Sequence, residues 1–273
     1  MIIIKGNILS WFKSIRSKNI ITDLNLDQPN RPETRYRWLD GLRGLAVILM
    51  IVFHFFYDLS YFGFISDDVA GRSIWLPLRY LIISIFVLTM GMSLYFSSYK
   101  GVKLSAFIKR TGRLIILSAS ITIGTYIFIP DKWVYFGILH FLVFASIFGV
   151  MFINIPYVAL TLGISILFIH KFVGLSFGWP MHNFKPYDGP PMDFVPLTPW
   201  LGVALIGIFL GFYVVSSRRA QAFLNKVNPS ESLIFTGKHA LTIYVLHQAI
   251  LFPAIYFFSY VYANKIDFEE IQQ

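Results

Sequence analysis

Seven stretches of the chain, at about 44–64, 76–97, 113–129, 133–153, 157–173, 198–216 and 239–262, are apolar and nearly free of charge. Each approaches the roughly 20 residues that a helix needs to cross hydrocarbon, so the pattern predicts about seven transmembrane helices. Ahead of them, Ile4, Ile8, Trp11 and Ile15 recur near one helical stripe, with Lys5, Lys13, Arg16 and Lys18 elsewhere. That arrangement predicts an amphipathic helix lying in the membrane interface. Gly6, Asn7, Ser10 and Lys13 interrupt its apolar stretch, which argues against the continuous core of a cleaved signal peptide. A polar linker runs from Asp27 to Arg37. The expected fold class is an all-α polytopic membrane helix bundle preceded by this interfacial helix.

The polar segments between the runs differ in sign. Lys and Arg gather in the amino-terminal region, around Lys100 to Arg113, and around Arg218 to Lys238, whereas the alternate connections carry Asp67, Asp68, Asp131, Asp188 and Asp193. Basic loops stay in the cytoplasm, so the alternation predicts a cytoplasmic amino terminus and, with seven spans, an external carboxyl terminus. The longest outer connection, about 174 to 197, holds Gly178, Trp179, Pro180, Tyr187, Gly189, Pro190 and Pro191. Such a composition makes an irregular ordered loop, either packing over the helix ends or forming an aromatic-lined lid for an acceptor such as a sugar.

Composition sharpens this reading. Of 273 residues, 56% are hydrophobic and only 14% charged, too few for an ordinary soluble surface. The net charge of +9 sits mostly in the loops predicted to face the cytoplasm, so anionic lipid rather than nucleic acid accounts for it. With no cysteine, the chain can form neither a thiolate metal site nor a cysteine nucleophile, and no metal is expected.

The chemistry concentrates in the first run. His54 lies about ten residues inside it, and Arg43 precedes His54 by eleven positions. On an α-helix that separation is about 16 Å of rise and only about 20° of rotation, so the two share a face, one at the mouth and one at depth. Asp58, at i+4 from His54, is positioned to fix the imidazole tautomer and stabilise an imidazolium. Ionisable groups inside a membrane are costly unless they face protein or water, which makes the stripe a candidate site. The competing explanation is an interhelical polar contact.

The stretch Leu39-Asp40-Gly41-Leu42-Arg43-Gly44, followed by His54, resembles the acyltransferase-3 pattern of Arg, ten residues and His. The wider chain, from about 35 to 255, resembles the bacterial relatives of the heparan-α-glucosaminide N-acetyltransferase catalytic domain. Tyr135-Phe-Gly-Ile-Leu-His140, Pro199-Trp200-Leu-Gly-Val-Ala-Leu-Ile-Gly207 and Gly237-Lys-His239-Ala-Leu-Thr-Ile-Tyr-Val-Leu-His247-Gln248 carry that likeness. The lysosomal enzymes place the active-site histidine beyond the first catalytic-domain helix. Here no histidine occurs between Phe55 and Leu139, so the assignment to His54 rests on the acyltransferase-3 pattern.

The resemblance implies a cytoplasmic acyl-CoA donor, with acetyl the family's usual cargo, and a carbohydrate-type acceptor presented from the other side of a bacterial inner membrane. On it, His54 and Asp58 are catalytic, with His54 as general base or acyl carrier. Arg43, Arg110, Arg113, Lys238 and His239 share the phosphates of the donor, and His140, His247, Arg79 and Trp200 line the acceptor path. The expected layout is a cytoplasmic segment at 1–34, the transmembrane acyltransferase domain at 35–263 and an extracytoplasmic tail at 264–273. Partners are the bilayer, the small-molecule donor and the acceptor, with no nucleic acid; a homo-oligomer is compatible. Two rival readings use the same residues: a permease in which His54 and Asp58 relay protons, and a b-type haem protein with His54 and His247 as axial ligands.

Overall fold

The computed structural model describes residues 36–66, 69, 74–174 and 193–270. The expected interfacial helix, the acidic pair Asp67 and Asp68, and most of the long outer connection lie outside these residues. Among the described residues the chain is all helical: α1 (Arg37–Tyr61), α2 (Trp75–Ser98), α3 (Leu104–Phe128), α4 (Ile138–Gly149), α5 (Pro156–Phe168), α6 (Leu197–Ser216), α7 (Arg218–Lys226), α8 (Glu231–Lys238) and α9 (Ala240–Glu270). Six segments are long and apolar enough to cross a membrane: α1, α2, α3, α5 with its π-helical extension to Val173, α6, and α9 as far as Tyr262. The protein is thus a multi-pass membrane protein.

The fourth expected span is shorter than its hydropathy suggests. The 12-residue α4 runs on into a 3-10 turn at Val150–Phe152. The residues before it are not helical because Pro130 opens a 3-10 turn, and Gly137 pairs in a β-bridge with Phe194. His140 then caps the helix start. The Gly137 N–H donates to its Nδ1 at 3.2 Å, so that nitrogen holds the lone pair, and in the neutral ring Nε2 carries the proton and donates to Thr122 Oγ1 at 3.1 Å. The Thr122 hydroxyl in turn donates to the Val134 carbonyl at 2.7 Å.

Contacts divide the chain into two compact units, and α2 contributes to both. In the unit built from Val87–Lys226, Leu94, Tyr95, Val150, Ile153, Ala159, Leu205 and Ile208 form the core. There α5 and α6 meet backbone to backbone: a Cβ at Gly163 or at Gly202 would lie 2.8 Å from the other's carbonyl oxygen. Small residues permit this approach, which is how membrane helices gain packing energy without a hydrophobic drive between them.

In the unit built from Tyr36–Phe86 and the chain from Val227 on, Val47, Met50, Phe53, Trp75 and Ile82 form the core, with Ile243 and Tyr244 packed against it. The short helix α8 is capped by Ser230, whose Oγ accepts from the Leu233 N–H, and Arg37 pairs with Glu231. It crosses α1 at two glycines. A Cβ at Gly44 would meet the Leu233 carbonyl oxygen at 2.0 Å, and one at Gly237 the Asp40 carbonyl oxygen at 1.8 Å. After His239 ends α8, α9 turns away and runs parallel to α1, as the sequence of ring contacts shows: His54 with His247, Tyr61 with Phe252, Phe62 with Tyr256.

Two outcomes are expected in thermal unfolding of the purified protein. Gly237→Ala costs about 1–3 kcal/mol or more, because the helices must separate to admit the methyl. Gly112→Ala, at a glycine with open space around its Cβ position, is neutral or stabilising. Equal behaviour of the two would contradict the crossing. His140→Ala lowers the midpoint by the equivalent of about 1–3 kcal/mol, since Gly137 and Thr122 lose their partner; an unchanged midpoint would show that the cap is dispensable.

Candidate active site

Arg43 and His54 stand on one uninterrupted helix, as their spacing predicts. The Arg43 guanidinium is held at its end of α1 by Asp40, whose carboxylate accepts from Nη1 at 2.9 Å. Asp40 is 1% exposed and sits in the first turn, where the positive end of the helix dipole favours a carboxylate. A buried carboxylate one turn before Arg43 thus restricts where the guanidinium can reach.

At depth, His54 meets His247. The two imidazoles are in edge-on contact, 4.8 Å between centroids. Around them stand Phe53 and Tyr57 from α1 and Tyr244 from α9, with Phe53 edge-on to His54 at 5.6 Å. The Tyr244 carbonyl lies 2.6 Å from His247 Nδ1. A carbonyl can only accept, so Nδ1 carries the proton, and the neutral ring presents the lone pair of Nε2. Arg79 is half-buried on α2, in the same unit as His54 and Tyr57.

Asp58 does not pair with His54 as its i+4 position led one to expect. Four residues turn an α-helix by about 40° beyond a full circle, enough to carry a short side chain off the line of His54. The carboxylate, fully buried, instead accepts two hydrogen bonds from the Gln248 amide, at 2.8 and 2.9 Å. The tautomer-setting role expected of Asp58 is filled at His247 by the Tyr244 carbonyl. Gln248 is the residue that sequence reasoning passed over. A glutamine inside an apolar span needs a partner as much as a histidine does, and it stands next to His247.

The remaining expected site residues fall elsewhere. Lys238 and His239 are exposed where α8 ends, with the His239 ring in tilted contact with Phe235 at 4.4 Å. Arg110 and Arg113 belong to the other unit, on α3 rather than in a loop, Arg110 half-buried and Arg113 exposed. His140 and Trp200 are also in that unit: His140 spends one ring nitrogen on the α4 cap and the other on Thr122 of α3, and Trp200 is 5% exposed. The haem reading fails on geometry. Two axial imidazoles must stand on opposite faces of a macrocycle, each about 2 Å from the metal, whereas these two rings touch.

The arrangement therefore offers a basic group at one end of α1 and a touching pair of imidazoles about 16 Å along it, backed by a hydrogen-bonded carboxylate. A comparison with protein families matches residues 35–249 to the family described as heparan-alpha-glucosaminide N-acetyltransferase, catalytic. That stretch contains Asp40, Arg43, His54, Asp58, His247 and Gln248. No curated protein and no solved structure gives a significant match to the chain. With most of its length matched in this way, the chain belongs to the catalytic-domain family of heparan-alpha-glucosaminide N-acetyltransferase, a family of membrane transferases.

Proposed function

We propose that the protein transfers an acetyl group from cytoplasmic acetyl-CoA to an amino or hydroxyl group of an extracytoplasmic carbohydrate, with His54 as the reacting imidazole and His247 as its partner. The observation that carries this reading is the contact between those two rings, inside a stretch matched to an acetyltransferase catalytic domain. The amino terminus is taken as cytoplasmic from the distribution of Lys and Arg.

Arg43 supplies a planar donor fork for the phosphates of CoA, with Asp40 orienting it. Lys238 and His239 add positive charge or hydrogen-bond donors at the same end. The pantetheine arm then runs along α1 and brings the thioester to His54. In the general-base route, His54 takes the proton of the acceptor N–H or O–H as that atom bonds to the thioester carbon; the C–S bond breaks and the thiolate recovers the proton. In the covalent route, His54 Nδ1 or Nε2 attacks the thioester and releases CoA, and the acceptor then displaces the imidazole. Two imidazolium charges in direct contact would repel strongly, so the pair can take up one proton during transfer and not two. His247 shares the charge that develops on His54.

Labelled acetyl-CoA consumption by purified protein, against a panel of amino sugars and glycan hydroxyls, tests the reading. His54→Ala is expected to lose about 10²- to 10⁴-fold in transfer rate; equal transfer by the variant and the parent would contradict it. Arg43→Gln, which keeps an N–H for Asp40, is expected to raise KM for acetyl-CoA about tenfold or more while kcat at saturating donor changes less. A fall in kcat with KM untouched would remove Arg43 from donor binding.

A further inference from the structure

The Gln248 side chain is a two-ended group with one end used. Its amide nitrogen donates to both Asp58 oxygens, which fixes which way the amide faces, because an ionised carboxylate can only accept. The amide oxygen then points away from Asp58. That oxygen is buried and has no hydrogen-bond partner among the described residues. A buried amide oxygen left alone is costly, and it is more basic here than in a free amide, because the N–H end is already polarised by a negative charge. It lies in the same helical turn as His247, whose ring touches His54.

We infer that Gln248 Oε1 is a substrate-binding atom that accepts a hydrogen bond from an N–H group of a bound substrate. This rests on the acetyl-transfer reading, which supplies two N–H sources: the amino group of the acceptor and the amide groups of the pantetheine arm. Asp58 then acts as a positioning residue. It holds the glutamine so that its oxygen, not its nitrogen, faces the ligand. The assignment explains why an amide, rather than a second ionisable group, stands opposite a buried carboxylate: the glutamine presents an acceptor to the site and adds no charge of its own.

Equilibrium dialysis of the purified full chain against labelled glucosamine and, separately, labelled acetyl-CoA tests this without requiring turnover. Gln248→Leu is expected to weaken one of the two about tenfold, the loss of a hydrogen bond at a buried group, and to leave the other within about twofold. A shift confined to glucosamine identifies the acceptor amine as the donor of the hydrogen bond; a shift confined to acetyl-CoA identifies the pantetheine amides. Because Gln248→Leu also strands the Asp58 carboxylate, the exchanged pair Asp58→Asn with Gln248→Glu is the companion variant. It restores an amide-to-carboxylate hydrogen bond and keeps an oxygen at position 248, so the affinity lost in Gln248→Leu is expected to return. Unchanged affinity for both ligands in Gln248→Leu, no recovery in the exchanged pair, or no binding of either ligand by the parent protein would overturn the inference. Binding that follows this pattern without any acetyl transfer would instead overturn the acetyl-transfer reading alone.

Discussion

Hydrocarbon has no partner to offer a polar side chain, and the unit holding the candidate site is organised by that fact. His54, Asp58, His247 and Gln248 lie on two helices that must each cross the membrane, and each would be expensive alone. They gather against one another: the Gln248 amide donates to the Asp58 carboxylate, and the two imidazoles stand edge-on. This fixes the register of α1 against α9 more tightly than apolar side chains, which would pack almost as well one turn up or down. At the other end α8, which leads directly into α9, is fastened to α1 by the crossing of Gly44 and Gly237, where nothing larger than hydrogen fits. Two constraints on one helix leave little freedom in how α1 presents Arg43 and His54.

That rigidity suits the proposed chemistry. A donor with an anionic head and a thioester at the end of a long arm needs two fixed points, and transfer depends on holding the reacting atoms in place more than on any single strong base. On this reading Asp40 steadies the first point and His247 the second. The carboxylate of Asp58 acts one step removed, through Gln248, and the proton chemistry is left to the two imidazoles.

The helical, membrane-crossing character was legible because span length and lack of charge are properties of a single segment. The stripe from Arg43 to His54 was legible for the same reason, since both residues lie on one helix. The differences arise where distant residues decide. The start of α3 was placed too late, at 113 rather than Leu104, because Lys109 and Arg110 resemble loop residues; long basic side chains reach water from a helix and do not end it. The fourth span was read as too long because the bridge between Gly137 and Phe194, and the cap built on His140, join residues far apart in the chain. The i+4 spacing points Asp58 to its near neighbour His54, whereas its partner lies 190 positions away; a glutamine inside an apolar span signals the need for a partner, but no local pattern says which residue that is.

The most direct measurement is a cryo-EM structure of the protein in lipid nanodiscs with acetyl-CoA bound. The account predicts phosphate density at Arg43 and the thioester carbon about 3–3.5 Å from an imidazole nitrogen of His54 or His247, with the Gln248 amide still seated on Asp58. A thioester lying outside the α1–α9 pair, or a His54–His247 contact closed to it, would contradict the account.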